Sequence, residues 1–160
     1  MRKLDIGCGM RKAEGWDGID IRPYKGVDHV LNVGKDPYPY EDNTFDEVKA
    51  IHLLEHLYPE ELFHCVEEVW RVCKPKGFFY IEVPKAMTPA YFAHPDHKIQ
   101  FVQDSFAFFQ VPHQGLDVHG YLNGFWHVKA EDLPQSIHVK MYPNKPSGTF
   151  EYQEVRRYDS

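Results

Sequence analysis

Residues 3–9 read KLDIGCG, an apolar strand that runs directly into a glycine turn, and residues 18–21 read GIDI. Two glycines let the backbone turn tightly and pass close to a ligand. Asp20, near the end of the second segment, is suited to accept hydrogen bonds from both hydroxyls of a ribose. Taken alone, the Gly-x-Gly pair is equally compatible with a simple tight turn. The two segments in succession favour an α/β sheet with a ligand at its strand ends.

The rest of the first half alternates strands with crossovers, which predicts a parallel sheet. The expected elements are strands at residues 29–33, 45–51 and 77–84, a loop at 34–44 and a helix at 59–73. The helix is predicted from apolar residues at helical spacing, with Pro59 at its first position and Pro75 beyond its end. Only about ten residues join the first two strands, fewer than a parallel crossover usually needs. The first crossover helix is therefore expected to be missing or reduced to a turn.

The second half has a different composition. Residues 86–124 are rich in His, Phe, Pro and Gly, and a short helix is predicted at 103–109. Residues 126–130 and 137–142 alternate apolar with polar side chains, which predicts an antiparallel hairpin at the sheet edge. In the second strand, His138, Lys140 and Tyr142 should face outward. Residues 149–156 are expected to add an edge strand.

The composition restricts the class of protein and its partners. The chain has 160 residues, which fits one domain, and a net charge of −6 without clustered Lys or Arg. Because nucleic acids bind through clustered cations, a nucleic-acid partner is disfavoured. Three cysteines without a paired framework favour a reducing compartment, so the expected location is the cytoplasm. The sequence has no long apolar run, so neither a signal peptide nor a membrane span is predicted.

Four further segments follow the opening two in a fixed order. They are PYEDNTFDEV at 39–48, HLLEHL at 52–57, EVWRVCKPKG at 68–77 and YIEVP at 80–84. The whole series resembles the motifs of the class I S-adenosylmethionine (SAM) dependent methyltransferases over residues 3–84. A weaker likeness continues through HPDHK at 94–98. The resemblance implies an α/β, Rossmann-like, mostly parallel sheet with an antiparallel C-terminal hairpin and few helices.

The resemblance also implies a functional division of this single domain, residues 1–160. Residues 1–84 would bind SAM, residues 85–127 would form an insertion on the side of the methyl acceptor, and residues 128–160 would supply the C-terminal strands. The acceptor is expected to be a small molecule, because the insertion is rich in flat apolar side chains. These are Tyr91, Phe92, Phe101, Tyr121 and Trp126.

Carried over residue by residue, the resemblance implies a cofactor site at the strand ends. Its members are Asp5, Gly7, Cys8, Gly9, Asp20, Ile21, Asn32, Val33, His52 and Leu53. Residues 5–9 would hold the methionine end of SAM, and Asp20 would bind the ribose. Ile21 and Asn32 would contact the adenine, and residues 52–53 would lie beside the reactive methyl group.

The candidates for a general base are His52, His56 and His97. An imidazole titrates near neutral pH and therefore suits the removal of a proton from a hydroxyl or amine acceptor. Glu55 could orient one of these rings. The chain departs from the family pattern at Arg11, where a third glycine is usual, and it lacks the helices that commonly precede the first strand. A second hypothesis is therefore a SAM-binding regulatory or complex subunit without catalysis.

A third hypothesis concerns metal. Residues 52–56 match H-x-x-E-H, the inverted zinc-protease motif, which requires a helix to bring both imidazoles to one ion. This segment follows a predicted strand and ends before Pro59, so a zinc-dependent hydrolase is the least favoured of the three. The histidine-rich stretch of the second half, at 94, 97, 113, 119 and 127, has irregular spacing and no cysteine partners. No metal site is predicted.

The missing crossover helix has a consequence for assembly. With fewer helices than the family pattern, one face of the sheet would be under-covered. A second copy of the chain would bury that face, which predicts a homodimer.

Overall fold

A seven-stranded sheet organises the computed structural model, which describes residues 1–110 and 124–146. The strands are β1 Lys3–Ile6, β2 Asp17–Asp20, β3 His29–Val30, β4 Phe45–Ile51, β5 Cys73–Pro84, β6 Trp126–Asp132 and β7 Ser136–Pro143. Their order across the sheet is β3-β2-β1-β4-β5-β7-β6. The first five strands are parallel, and β7 is antiparallel to both β5 and β6. The predicted α/β, Rossmann-like sheet with its antiparallel C-terminal hairpin is confirmed.

Helices are few, as expected. The described residues hold helix α1 at Pro59–Val72, helix α2 at Pro89–Phe92 and 3-10 turns at Leu54–His56 and Gln103–Phe109. In α1, the Glu61 carboxylate accepts a 2.8 Å hydrogen bond from the backbone N–H of Tyr58, which closes the first turn. The helix ends where Cys73 becomes extended, with φ −75° and ψ 135°. None of the helices in these residues has the length and apolar composition needed to cross a membrane.

The core lies between α1 and one face of the sheet. The helix buries an apolar stripe formed by Leu62, Cys65, Val66, Val69 and Val72. This stripe belongs to the same hydrophobic cluster as the alternate residues of β1, β4, β5 and β7. Each fully buried aliphatic side chain contributes roughly 1.5–3 kcal/mol relative to an exposed one. The apolar residues at helical spacing in α1 and those at alternate positions in the strands therefore form one core.

The connection from β1 to β2 contains no helix, as predicted. An extended loop takes its place and passes over Gly18, where a Cβ atom would lie 2.3 Å from Cδ of Lys12. The Lys12 Nζ is fixed by the Asp28 carboxylate at 2.6 Å, and the same oxygen accepts the Gly18 N–H at 2.6 Å. Because Gly18 has no side chain, the loop can pass close to β2. Strand β2 can then lie parallel to β1.

The second face of the sheet is polar on β1 and β4. Lys3 pairs with Glu47 at 2.8 Å, and Lys49 pairs with Asp5 at 3.1 Å. Each pair is in register across β1 and β4, so neighbouring strands supply opposite charges. The under-covered apolar face that motivated the homodimer is not found among residues 1–110 and 124–146, and the homodimer stays a prediction.

The expectation that alternate residues of β7 face outward is wrong. His138, Lys140 and Tyr142 are all buried. The His138 ring contacts the Tyr80 hydroxyl at 2.9 Å, and the Lys140 ammonium lies 4.5 Å from the centre of the Phe78 ring. The reason is that β5 presents partners on this face, so β7 is a central strand with two buried faces.

One other expectation differs from the structure, and another concerns residues outside the described part of the chain. Strand β3 ends at Val30, three residues earlier than predicted, because Asn32 starts a turn in which its side-chain oxygen accepts the Gly34 N–H at 2.9 Å. Such local side-chain bonds compete with strand pairing. The edge strand predicted at 149–156 lies outside the described residues.

Arg71 joins the last turn of α1 to the loop before β4. Its guanidinium donates hydrogen bonds to the carbonyl oxygens of Tyr38 and Tyr40, at 3.0 and 2.8 Å, and to the carboxylates of Asp42 and Glu68. We expect Arg71→Ala to lower the free energy of unfolding by about 2–3 kcal/mol, because two part-buried carbonyls lose their donor. Urea denaturation followed by circular dichroism measures the change.

The matched control is Lys76→Ala, which removes an exposed cation from β5. It should change the free energy of unfolding by less than about 0.5 kcal/mol. Equal losses in the two variants would contradict the role given to Arg71.

Candidate active site

A cavity of about 230 Å³ opens at the carboxyl ends of β1, β2 and β4. The strand order reverses between β1 and β4, and such switch points are where open parallel sheets bind ligands. Six of the ten predicted cofactor residues line it: Gly7, Asp20, Ile21, Asn32, Val33 and Leu53. Five residues that the sequence did not assign to a cofactor complete the lining: His56, Leu57, Tyr58, Glu61 and Lys98.

The glycine turn after β1 forms one wall of the cavity. Gly7 has a φ of +68°, and a Cβ atom there would lie 2.8 Å from Cδ1 of Leu53. Both observations require glycine. Gly9 also has a left-handed φ, of +55°, and its N–H donates to the Asp20 carboxylate at 2.8 Å. The turn therefore fixes the acidic side chain at the end of the neighbouring strand.

Asp20 is held by the backbone and still has acceptor capacity. One carboxylate oxygen accepts the Gly9 N–H and the other accepts the Arg22 N–H at 2.9 Å, while the residue is 8% exposed. An ionised carboxylate has about four lone-pair sites, so two remain for ligand hydroxyls. Ile21, beside it, is 63% exposed, which is unusual for a large apolar side chain and leaves a flat apolar surface at the cavity.

Four predicted cofactor residues do not line the cavity. Asp5 faces the polar side of the sheet, where burial raises its pKa and the ion pair with Lys49 opposes that shift. The side chain of Cys8 packs toward Gly18, and Gly9 contacts Asp20 through its backbone. His52 lies beside the lining residue Leu53 but turns its ring toward two carboxylates.

His52 is held between Glu55 and Glu82. Its Nδ1 lies 3.3 Å from Glu55 Oε1 and its Nε2 lies 3.4 Å from Glu82 Oε1, and its φ of 51° is unusual for a non-glycine residue. The carboxylate of Glu55 beside the ring, and then that of Glu82, raise the pKa of His52 to about 10. At neutral pH both ring nitrogens therefore carry protons, and neither offers a lone pair to a substrate. The geometry favours His56 and His97 over His52 as the proton acceptor.

The fold brings His56 and His97 together from segments far apart in sequence. Their ring centres are 4.8 Å apart. The backbone N–H groups of Lys98 and Ile99 both donate to the carbonyl oxygen of Glu55, at 2.7 and 3.2 Å, and Lys98 Nζ donates to the carbonyl oxygen of His56. These bonds fasten the HPDHK segment onto the turn after β4. In the sequence, the weaker family likeness at 94–98 included Lys98, but it did not indicate which residues Lys98 contacts.

The helix required by the zinc-protease motif is not formed. Only Leu54–His56 adopt a 3-10 turn, and His52 precedes it with a left-handed backbone. The predicted apolar walls of the acceptor site differ as well. Phe101 and Trp126 belong to the hydrophobic core, Phe92 is exposed, and Tyr121 lies outside the described residues. Tyr91 contacts the His97 ring with centres 5.3 Å apart, so it does lie at the candidate site.

The comparisons with known proteins agree with this architecture. Residues 21–81 match the model of a family described as a methyltransferase domain. A SAM-dependent methyltransferase from Archaeoglobus fulgidus is similar over 88% of this chain and 85% of its own, with 20% identity and a TM-score of 0.62. A SAM-dependent methyltransferase from Aquifex aeolicus is similar over 88% and 81%, with 18% identity and a TM-score of 0.53.

A third structure is the 1,6-didemethyltoxoflavin-N1-methyltransferase of Burkholderia thailandensis with 1,6-didemethyltoxoflavin and S-adenosylhomocysteine bound. It is similar over 89% of this chain and 71% of its own, with 13% identity and a TM-score of 0.62. At these identities the structural likeness concerns the fold. A search of curated proteins gives no match to the chain.

The strand order and the cavity at its switch point define a Rossmann-like methyltransferase fold. Residues 21–81 match the methyltransferase family model, and the fold of the chain is that of class I SAM-dependent methyltransferases, whose cofactor is SAM. The residues of the cavity fit this cofactor. Asp20 retains acceptors for hydroxyl groups, Gly7 leaves its backbone open, and Ile21 offers an apolar surface to a flat ring.

Three buried thiols should be unreactive in the folded protein. Burial raises the pKa of Cys8 to about 11, and it raises those of Cys65 and Cys73 to about 12. At pH 8 a thiol with a pKa near 11 is roughly one thousandth thiolate, and the thiolate is the reactive form. We expect iodoacetamide at pH 8 to leave all three unmodified in the native protein and to modify all three in urea, as read by mass spectrometry.

Cys8 is the informative site in this experiment because it follows Gly7 in the turn. Rapid alkylation of Cys8 in the native protein would show that the turn opens, and would contradict the packed position of this thiol.

Proposed function

We propose that this chain transfers a methyl group from SAM to a small-molecule acceptor at the mouth of the cavity. The observation that carries the proposal is the cavity itself, which both Asp20 and His56 line. When bound, SAM supplies a methyl group already activated on a positively charged sulfonium. The protein then has to hold the acceptor in line with that group, which can account for several kcal/mol of the barrier.

The cofactor roles follow the positions of the residues. Asp20 would accept hydrogen bonds from the ribose hydroxyls, and Ile21 and Val33 would pack on the adenine. Asn32 would accept a hydrogen bond from the adenine amino group through its side-chain oxygen. The turn at residues 7–9 and Leu53 would hold the methionine end. These assignments are supported by the six predicted residues that line one cavity.

The acceptor would lie beside His56 and His97. An acceptor hydroxyl or amine gives its lone pair to the methyl carbon as the carbon–sulfur bond breaks, the pair of that bond stays on sulfur, and the acceptor loses one proton. His56 or His97 would take that proton, a contribution of about 10²–10⁴-fold. The same fold with 1,6-didemethyltoxoflavin bound is a precedent for a small molecule.

Three further predictions complete the proposed function. The unpaired cysteines support a reducing compartment, and we place the protein in the cytoplasm. A homodimer is tested by light scattering at micromolar concentration, where a monomer would contradict it. The negative charge supports an acceptor other than a nucleic acid.

The cofactor site is tested by calorimetric titration with SAM and with S-adenosylhomocysteine. We expect Asp20→Ala to weaken binding at least about a hundredfold, because two hydrogen bonds to a charged acceptor are worth roughly 1.5–3 kcal/mol each. The matched control is Glu14→Ala, which removes an exposed carboxylate from the same β1–β2 loop and should leave the affinity unchanged.

Thermal unfolding of both variants checks that the fold persists, since Asp20 also holds two backbone N–H groups. Unchanged affinity in a folded Asp20→Ala variant would contradict the proposed cofactor site.

Catalysis is tested by release of S-adenosylhomocysteine with a panel of small phenols, catechols and aromatic amines. We expect His56→Ala and His97→Ala to reduce turnover about 10²-fold or more while the affinity for SAM stays nearly unchanged. The control is His64→Ala, whose ring bonds the carbonyl of Asp36 away from the cavity and which should keep full turnover.

Equal losses of affinity and turnover in the His56 and His97 variants would contradict a role in the transfer step. SAM binding by the wild-type protein without transfer to any member of the panel would favour the second hypothesis, a binding subunit without catalysis.

A further inference from the structure

Glu55 is a buried carboxylate whose oxygens are not satisfied. It is 0% exposed, and among the described residues no donor is hydrogen-bonded to either oxygen. The His52 ring lies 3.3 Å from Oε1 as a charge partner, without the alignment of a hydrogen bond. An unsatisfied buried polar group costs about 1–3 kcal/mol, and more when charged. The buried position of the Glu55 carboxylate therefore requires a hydrogen-bond donor or a cation that compensates this cost.

Two histidines face this carboxylate with their other nitrogens already bound. His97 Nδ1 lies 2.7 Å from the carbonyl oxygen of Tyr91 and donates to it, so Nε2 is the nitrogen left for another partner, 4.0 Å from Glu55 Oε1. His56 Nδ1 lies 3.0 Å from the Asp96 carboxylate, which leaves its Nε2 as the free nitrogen. A ring nitrogen that donates to a carboxylate or carbonyl, with the other left as an acceptor, is the usual arrangement of a metal-ligating histidine.

The ligand atoms are close enough to share one ion. One ligand atom from each of Glu55, His56 and His97 lies within 4.8 Å of the other two. Zinc–nitrogen and zinc–oxygen bonds near 2.0–2.1 Å place ligand atoms about 3.3 Å apart in a tetrahedral site. Closing that difference needs a movement of roughly 1 Å, and His56, which is half-buried, has the freedom to make it.

From these contacts we propose that Glu55, His56 and His97 bind one divalent transition-metal ion of the Zn²⁺ type beside the cofactor cavity. Two imidazoles and one carboxylate are ligands typical of zinc and of iron(II), and they leave one or more coordination positions open. The ion compensates the buried carboxylate. This revises the sequence expectation of no metal, and its ligand set differs from H-x-x-E-H because His97 takes the place of His52.

The site deepens the proposed function and rests on it. His56 lines the cavity, so an ion bound to it lies at the edge of the cofactor site. An acceptor hydroxyl that coordinates the open position loses its proton to solvent more readily, because the ion stabilises the resulting oxyanion. His56 and His97 then act as ligands rather than as bases. The acceptor class that suits such a site is a phenol or catechol, which binds through oxygen.

The test is metal titration of the full chain, prepared without a polyhistidine tag and freed of metal with a chelator. Co²⁺ binding is followed by visible absorption, and Zn²⁺ affinity by competition with a chromophoric chelator. We expect one ion per chain in the wild-type protein. His56→Ala, His97→Ala and Glu55→Gln should abolish binding at this site. Asp96→Asn, an exposed change that does not threaten folding, should weaken it about 10–100-fold.

The control is His94→Ala, whose ring centre is 5.3 Å from that of His97 and which should leave the affinity unchanged. His52→Ala separates the two ligand sets. Loss of the ion in His52→Ala with retention in His97→Ala would assign the ion to the linear motif and overturn the proposal. Adventitious binding, with no response to the His56, His97 and Asp96 variants, would overturn it too.

The failure of this proposal is distinguishable from failure of the proposed function. Calorimetric SAM titration and transfer assays on the metal-free protein supply the second readout. No bound ion in the metal titration, together with SAM binding and methyl transfer by the same protein, would overturn the metal site and leave the proposed function standing. An ion that depends on His56 and His97 in a protein that binds no SAM would leave the metal site standing and overturn the proposed function.

Discussion

The left-handed turn at Gly7 and Gly9 is the constraint on which the site depends. It allows the N–H groups of Gly7 and Cys8 to donate to the carbonyl of Ile19, at 2.8 and 3.1 Å, and the N–H of Gly9 to donate to Asp20. A side chain at Gly7 would contact Leu53, the residue after β4 that lines the same cavity. One turn therefore fixes the ends of three strands against each other, and the cavity lies where they meet.

The short connection after this turn changes how the sheet is completed. Because a loop crosses Gly18 in place of a helix, the second face of β1 and β4 is stabilised by charge pairs such as Asp5–Lys49. The Lys49 ammonium also lies 4.5 Å from the Trp16 ring, and cation–π contacts of this kind contribute roughly 0.5–2 kcal/mol. On this face, residues of opposite charge lie in register on neighbouring strands. Such a polar surface is consistent with a sheet that is covered by fewer helices than in the family pattern.

Glu55 organises the part of the structure around His52 and His97 in a different way. Its backbone carbonyl receives the N–H groups of Lys98 and Ile99, while its carboxylate faces His52 and His97. The 3-10 turn at the end of β4 and the segment before β6 are thus joined through one residue. His52 is held between Glu55 and Glu82, at 3.3 and 3.4 Å from their oxygens, and so differs from His56 and His97 in its contacts.

Local patterns in the sequence predicted most of the elements and six of the residues that line the cavity. Strand β4 at Phe45–Ile51 and the 3-10 turn at Gln103–Phe109 lie where they were predicted, because periodicity and breakers such as Pro and Gly act over a few residues. Asp20 and Gly7 could be placed because strand ends meet at one edge of a parallel sheet. The contact of Glu55 with His97 and the buried side chains of β7 were decided only by the tertiary structure. These contacts join segments about forty or more residues apart, and no local spacing encodes such a distance.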